Sequence, residues 1–252
     1  MKNTKSAVPV LKLDNIVKTF GGVTAADHIS LTLHKGEVLG LIGPNGSGKT
    51  TLLNIISGIY TADSGEIYLD EERMTKLPTH ARAKKGISRT FQHPRLLERC
   101  DIYTNIQVGI DLAQRKRCST LEESHELMKK LLTAAGLGDV DLTESCEKLS
   151  YGQQKLLEIV RAILPIPKVL LVDEPAAGLN EKEMWQINAL FDVAKEYGMG
   201  VLLIEHSMEL IMSICDTITV LNFGHQIATG APSEIQENPE VINAYLGGGD
   251  DA

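Results

Sequence analysis

The chain has 252 residues, 43% hydrophobic and 23% charged, enough apolar material to bury a sizeable core, which excludes overall disorder. Gly 22 and Pro 9 supply many loops without a collagenous, Pro-rich or low-complexity tract. A net charge of -8 repels nucleic-acid phosphates and anionic headgroups, so no nucleic-acid partner is expected and membrane attachment would run through protein.

In chain order, the opening Met1-Lys2-Asn3-Thr4-Lys5-Ser6 is polar, with no apolar run of signal-peptide or membrane-spanning length anywhere, so a cytoplasmic location is expected. Residues 10–13 and 29–33 alternate apolar with polar, predicting strands. His34-Lys35-Gly36-Glu37 then reads as a turn into the unbroken apolar run Val38-Leu39-Gly40-Leu41-Ile42, a strand buried on both faces. A Gly-rich turn follows, and then a helix through Leu52, Leu53, Ile55 and Ile56. From about 92 to 150 the pattern becomes helical, with Leu127, Met128, Leu131, Leu132 and Ala135 at three- and four-residue steps, as in an inserted helical subdomain.

Two further apolar runs, 169–172 and 201–204, flank a helical stretch at 181–196, and this alternation of strand and helix predicts a parallel sheet. Segments 217–222 and 226–229 flank Phe223-Gly224-His225 as a hairpin, and 233–246 reads as one closing helix. Cys100, Cys118, Cys146 and Cys215 form no CxxC pair, so free thiols are expected rather than a zinc or redox motif.

The chemistry begins at Gly43-Pro44-Asn45-Gly46-Ser47-Gly48-Lys49-Thr50, a complete G-x-x-x-x-G-K-[ST] between a predicted strand and a predicted helix. Glycines let backbone N–H groups turn toward one point, and the following helix N-terminus adds partial positive charge. Lys49 can reach terminal phosphates and Thr50 can ligate Mg²⁺. The run at 169–172 ends in Asp173-Glu174, two carboxylates at a sheet edge, where ligands of open α/β folds bind. Asp173 is placed to hold Mg²⁺ and Glu174 to polarise an attacking water. Ser150 with Gln153 before an apolar run could be nothing more than a helix capping box.

Taken together, these motifs resemble, over essentially the whole chain, the ATP-binding subunits of ABC transporters. The resemblance implies one α/β domain with a P-loop NTPase core. Its N-terminal antiparallel β subdomain and RecA-like core would occupy 1–91 and 151–252, and its helical subdomain 92–150. ATP and Mg²⁺ are the implied cofactors. Residues 43–50, with Thr51 beside them, match the Walker A loop. Gln92 after Phe91 matches the Q-loop glutamine, a Mg²⁺ and water contact, and Ser150, Gly152 and Gln153 match the signature that faces nucleotide. Glu174 then becomes the catalytic base and Asp173 a metal ligand. His206 would be the switch histidine that contacts the γ-phosphate, and Phe20 the aromatic that stacks on adenine, although a core phenylalanine at a strand end would look the same.

Two departures stand out: Tyr151 in the middle of the signature, and Asn180 where the D-loop usually has aspartate. Both, with Asp173-Glu174-Pro175-Ala176-Ala177-Gly178-Leu179-Asn180 and the ending Asn238-Pro239-Glu240-Val241-Ile242-Asn243-Ala244-Tyr245-Leu246-Gly247, resemble the uptake branch for branched-chain amino acids and similar amides. Lipopolysaccharide-export ATPases share much of this wording.

The resemblance implies transmembrane permease subunits, a second ATPase subunit, identical or different, paired head to tail, and indirectly a solute-binding protein. The location implied is the inner face of the cell membrane. Pro94, Leu96 and Leu97 between Arg95 and Arg99 offer an apolar patch for the permease, or a local tuck of the loop. The rival function, a soluble ATP-gated clamp on nucleic acid, is opposed by the single motif set, the absence of sustained heptads and the negative charge; the run Arg115-Lys116-Arg117 reads as a solvated helix end.

Overall fold

The computed structural model describes residues 8–115 and 120–246. Met1 to Ser6, Lys116, Arg117, Cys118 and Gly247 lie outside them.

Strands β1 (Pro9–Phe20) and β2 (Val23–His34) pair antiparallel about Gly21-Gly22, both at positive φ, which glycine adopts without steric cost. Strand β4 (Ser64–Leu69) pairs with the other side of β1 and with the two-residue β5 (Glu72–Arg73). The result is a four-stranded antiparallel sheet in the order β2-β1-β4-β5.

The second sheet contains β3 (Val38–Ile42), β6 (Ile87–Arg89), β7 (Val169–Asp173), β8 (Gly200–Ile204), β9 (Thr217–Asn222) and β10 (His225–Gly230), in the order β10-β9-β3-β8-β7-β6. All neighbours are parallel except β10, which returns antiparallel on β9 as the predicted hairpin. Every residue of β3, β7 and β8 is buried, as their unbroken apolar runs require. Alternate side chains enter opposite cores: Val38, Leu170, Val172, Val201 and Leu203 on one face, Leu39, Leu41, Val169, Leu171, Leu202 and Ile204 on the other.

Helix α1 (Lys49–Ser57) follows β3 and stops at Gly58, φ +81. Helix α2 (Thr79–Lys85), not anticipated from the sequence, carries the buried Arg82, whose guanidinium donates to the carbonyls of Ile55, Ile56, Thr75 and Leu77. Between 92 and 150 lie α3 (Ile102–Arg115), α4 (Leu121–Ala134) and a 3-10 turn at Cys146–Lys148. Helix α5 (Tyr151–Ile163) then leads into β7, and α6 (Glu181–Glu196) covers the stretch predicted as helix. Helix α7 (Met208–Ile214) links β8 to β9. Cys100, Cys146 and Cys215 are free thiols, and burial pushes the Cys215 thiol up to about 12.

The expected single closing helix is in fact two, α8 (Pro232–Gln236) and α9 (Pro239–Leu246). Pro239 has no N–H to continue α8, and its ring disfavours helical backbone at Asn238. Asn238 instead starts the new helix, its Oδ1 accepting from the N–H groups of Glu240 and Val241 at 2.9 and 3.3 Å.

Candidate functional site: a phosphate loop facing three polar strand ends

The loop after β3 is held by backbone packing that only glycine permits. A Cβ at Gly43, φ +150, would stand 2.1 Å from the Leu221 carbonyl oxygen, and one at Gly48, φ +105, 2.1 Å from that of Ala25. The turn between β9 and β10 braces the loop from outside, with Gly224 N–H donating to the Ser47 carbonyl and Asp27 N–H to that of Gly224. Lys49 is buried and folded back, its Nζ donating to the carbonyls of Gly43 at 2.8 Å and Pro44 at 2.9 Å. Burial lowers its ammonium below the ordinary lysine value, against the opposing pull of Glu174 and Asp173.

Gln92, Glu174 and His206 follow the carboxyl ends of adjacent parallel strands β6, β7 and β8, the edge at which such sheets present ligands. They meet in space: Glu174 Oε1 lies 2.9 Å from His206 Nε2, and Glu174 Oε2 accepts from Gln92 Nε2 at 2.9 Å. Glu174 sits at φ +47, a left-handed backbone unusual for a residue with a Cβ, and its N–H donates to the Ile204 carbonyl. Asp173 is buried and takes a hydrogen bond from Arg89 Nη2 at 3.1 Å. Burial pushes its carboxyl up, and the Arg89 guanidinium opposes that rise. A cavity of about 180 Å³ opens between loop and strand ends, lined by Ala25, Asn45, Gly46, Ser47, Gly48, Lys49, Thr50, Thr51, Glu174 and His206.

The remaining sequence candidates stand off that cavity. Phe20 ends β1, partly exposed, with its ring edge-on to Tyr60 at 5.2 Å between centroids and Lys18 Nζ over its face. Ser150 caps α5: its Oγ accepts from Gln153 N–H at 3.2 Å and Gln153 Oε1 accepts from Ser150 N–H at 2.9 Å, so the capping box is present. Gly152 is buried, and a Cβ there would land 2.1 Å from Glu183 Oε1. Tyr151 Oη reaches the Gln92 carbonyl at 3.4 Å. Asn180 caps α6 through Glu183 in a second reciprocal box, so its amide is used within the chain. Of the expected apolar patch, Leu97 is exposed and Leu96 packs on the core.

Sequence reasoning missed the polar side chains behind these groups. Arg89, half-buried beside Asp173, also donates to Asn54 Oδ1 and Ser57 Oγ. Glu205 accepts from the N–H groups of Ala176 and His206, each at 2.7 Å, which ties the β7 and β8 ends together. Lys155 and Glu158 are buried on α5. The one available signal was a lysine and a glutamate embedded in an otherwise apolar run.

Among the described residues no three His, Cys, Asp or Glu side chains converge as a metal cage. The oxygen donors near the loop, the Asp173 carboxylate and Thr50 hydroxyl, suit Mg²⁺, which takes few protein ligands and completes its shell with water and phosphate.

The ABC transporter family model matches residues 26–177, and that of the branched-chain amino acid ATP-binding cassette transporter C-terminal segment matches 225–251. The chain is 40% identical to the high-affinity branched-chain amino acid transport ATP-binding protein BraF of Pseudomonas aeruginosa, over 95% of this chain and 98% of that one. It is 37% identical to LivG of Escherichia coli with the same coverage. Similarity to the Escherichia coli lipopolysaccharide export system ATP-binding protein LptB is 33%, over 94% and 97%. Among solved structures, the ADP conformation of the ATP-binding cassette MJ1267 superposes with a TM-score of 0.82 at 32% identity, covering 95% of this chain and 99% of that one. Matches that run from end to end, on a fold that sets a phosphate loop against these strand ends, make the chain a member of the ABC transporter family of ATP-binding subunits.

Proposed function

We propose that this chain is the ATP-hydrolysing subunit of an importer for branched-chain amino acids or related solutes, acting in a head-to-tail pair of ATPase subunits beneath transmembrane permease subunits on the inner face of the cell membrane. The observation that carries the catalytic reading is the Glu174 carboxylate held between His206 and Gln92 at the wall of a cavity lined by the phosphate loop. The solute reading rests on the names of BraF and LivG and on the match of 225–251.

The loop's backbone N–H groups and the α1 N-terminus receive the phosphates of ATP, and Lys49 exchanges the carbonyls of Gly43 and Pro44 for phosphate oxygens. Asn45, Gly46, Ser47, Gly48 and Thr51 complete that cradle. Thr50, Gln92 and Asp173 would hold Mg²⁺, which when bound would neutralise charge on the phosphate oxygens. Glu174 takes the proton of the attacking water, Gln92 orients that carboxylate, and His206 sits where it can also reach the γ-phosphate. Ser150, Gly152 and Gln153 stand off their own chain's cavity and serve the partner's nucleotide, and Phe20 receives the adenine after turning from Tyr60. Leu97 with Tyr103, Val108 and Leu112 of α3, all exposed, offers the permease an apolar surface.

Sedimentation of Glu174→Gln with and without ATP–Mg²⁺ tests the pairing. A nucleotide-dependent dimer is expected; a chain that binds ATP tightly yet stays monomeric alone, and also in mixture with a neighbouring ATPase subunit, would sink the clamp. For the solute, the wild-type chain should restore leucine uptake to cells lacking it. Lost lipopolysaccharide export with normal leucine uptake would redirect the assignment.

A further inference from the structure

Helix α5 carries three charged side chains one turn apart, Lys155, Glu158 and Arg161, and each is turned onto backbone of the catalytic loops. Lys155 is 2% exposed, and its three donors are matched by three carbonyls of one turn: Glu174 at 2.9 Å, Pro175 at 3.2 Å and Ala177 at 3.0 Å. Glu158, also buried, accepts from Arg95 N–H at 3.0 Å and from the Phe91 backbone. Arg161 donates to the Arg95 carbonyl and, at 3.2 Å, to Asn105 Oδ1. One rigid helix thus grips the segment that carries Glu174 and the segment that carries Gln92, two residues bonded to each other. The same helix is capped by Ser150, only five positions before Lys155.

A buried lysine on carbonyls can be simple structural support. Here, however, the supported turn holds Glu174 at φ +47, so the direction of its carboxylate depends on a backbone that does not favour itself. Neighbouring Ala176 is tied by Glu205 from the end of β8, and among the α5 side chains Tyr151 packs its ring beside Gly178 while Lys155 supplies the hydrogen bonds to the carbonyls of this turn.

We propose that Lys155 is a positioning residue for hydrolysis: it fixes the Glu174 turn to α5, so that the position of the Ser150 end of the helix sets the alignment of Glu174 in the same chain. This rests on Glu174 being the catalytic base.

The test compares steady-state ATP hydrolysis and ATP affinity of the full chain with those of Lys155→Met, Lys155→Arg and Glu174→Gln. Lys155→Met keeps length but has no donors, and should lower kcat at least tenfold with KM and ATP affinity within threefold of wild type. Lys155→Arg can still donate to carbonyls and should recover at least a third of the wild-type kcat. A role limited to holding the fold would not separate kcat from ATP affinity. Retention of more than half the kcat in Lys155→Met, a matching loss of ATP affinity, or no recovery in Lys155→Arg would each overturn the inference alone. Normal turnover by Glu174→Gln would overturn the site reading beneath it as well.

Discussion

Lys49 and Glu174 line one cavity but answer to different forces, and substitution should separate them. Lys49 is a buried cation whose present hydrogen-bond acceptors are all neutral, the carbonyls of Gly43 and Pro44 and the Ser47 hydroxyl, so phosphate offers it a stronger bond between opposite charges. Lys49→Ala should therefore abolish measurable ATP binding in isothermal titration calorimetry. Glu174→Gln keeps the shape and one hydrogen-bonding oxygen of the side chain but replaces the carboxylate proposed as base with a neutral amide. Its ATP affinity should persist while turnover falls by ~10²–10⁴-fold, the usual worth of a positioned base; equal losses in both quantities would contradict the assigned roles. The phosphate loop, Asp173 and Glu174 were legible in the sequence because their chemistry needs particular residue types at local spacing. Arg89, Lys155 and Glu205 were not, because they work largely on backbone atoms or on residues distant in sequence. Phe20 matches either a base-stacking position or a core phenylalanine in the sequence, and its edge-on packing against Tyr60 is a pairing no local pattern announces.

At the scale of elements, the buried strands β3, β7 and β8 and helix α6 could be read directly, since their apolar runs or caps exceed the noise of short patterns. Strands β4, β5 and β6 and helix α2 were missed: two to seven residues of mixed polarity carry no readable period. Arg82 anchors α2 by satisfying the last carbonyls of α1 and the turn before α2 at once. Arg82→Met would fill similar space yet leave those buried acceptors without donors, costing about 1–3 kcal/mol. A lower urea midpoint with unchanged slope is expected, with ATP affinity intact in the folded protein. The break at Pro239 shows the converse, a single residue overriding an amphipathic pattern that runs through it.

For the whole molecule, the signature residues stand apart from the cavity of their own chain, so one chain leaves part of the expected nucleotide contacts unmade, and that incompleteness is what the sedimentation experiment addresses. The net charge of -8 must be overcome locally when two copies meet, so pairing of identical chains should strengthen as salt is raised at fixed nucleotide. Parallel topology was predictable from strand and helix alternation, but the placement of β6 at the sheet edge, which delivers Gln92 to Glu174, follows from a crossover that no local pattern encodes. The alternation of side chains along β3, β7 and β8 also has a thermal meaning. Neighbouring residues such as Leu170 and Leu171 belong to opposite cores, so neither core can melt without stripping the strand from the other. Scanning calorimetry should accordingly show one heat-absorption peak whose van't Hoff and calorimetric enthalpies agree, and two resolved peaks would mean that the cores are not welded by their common sheet.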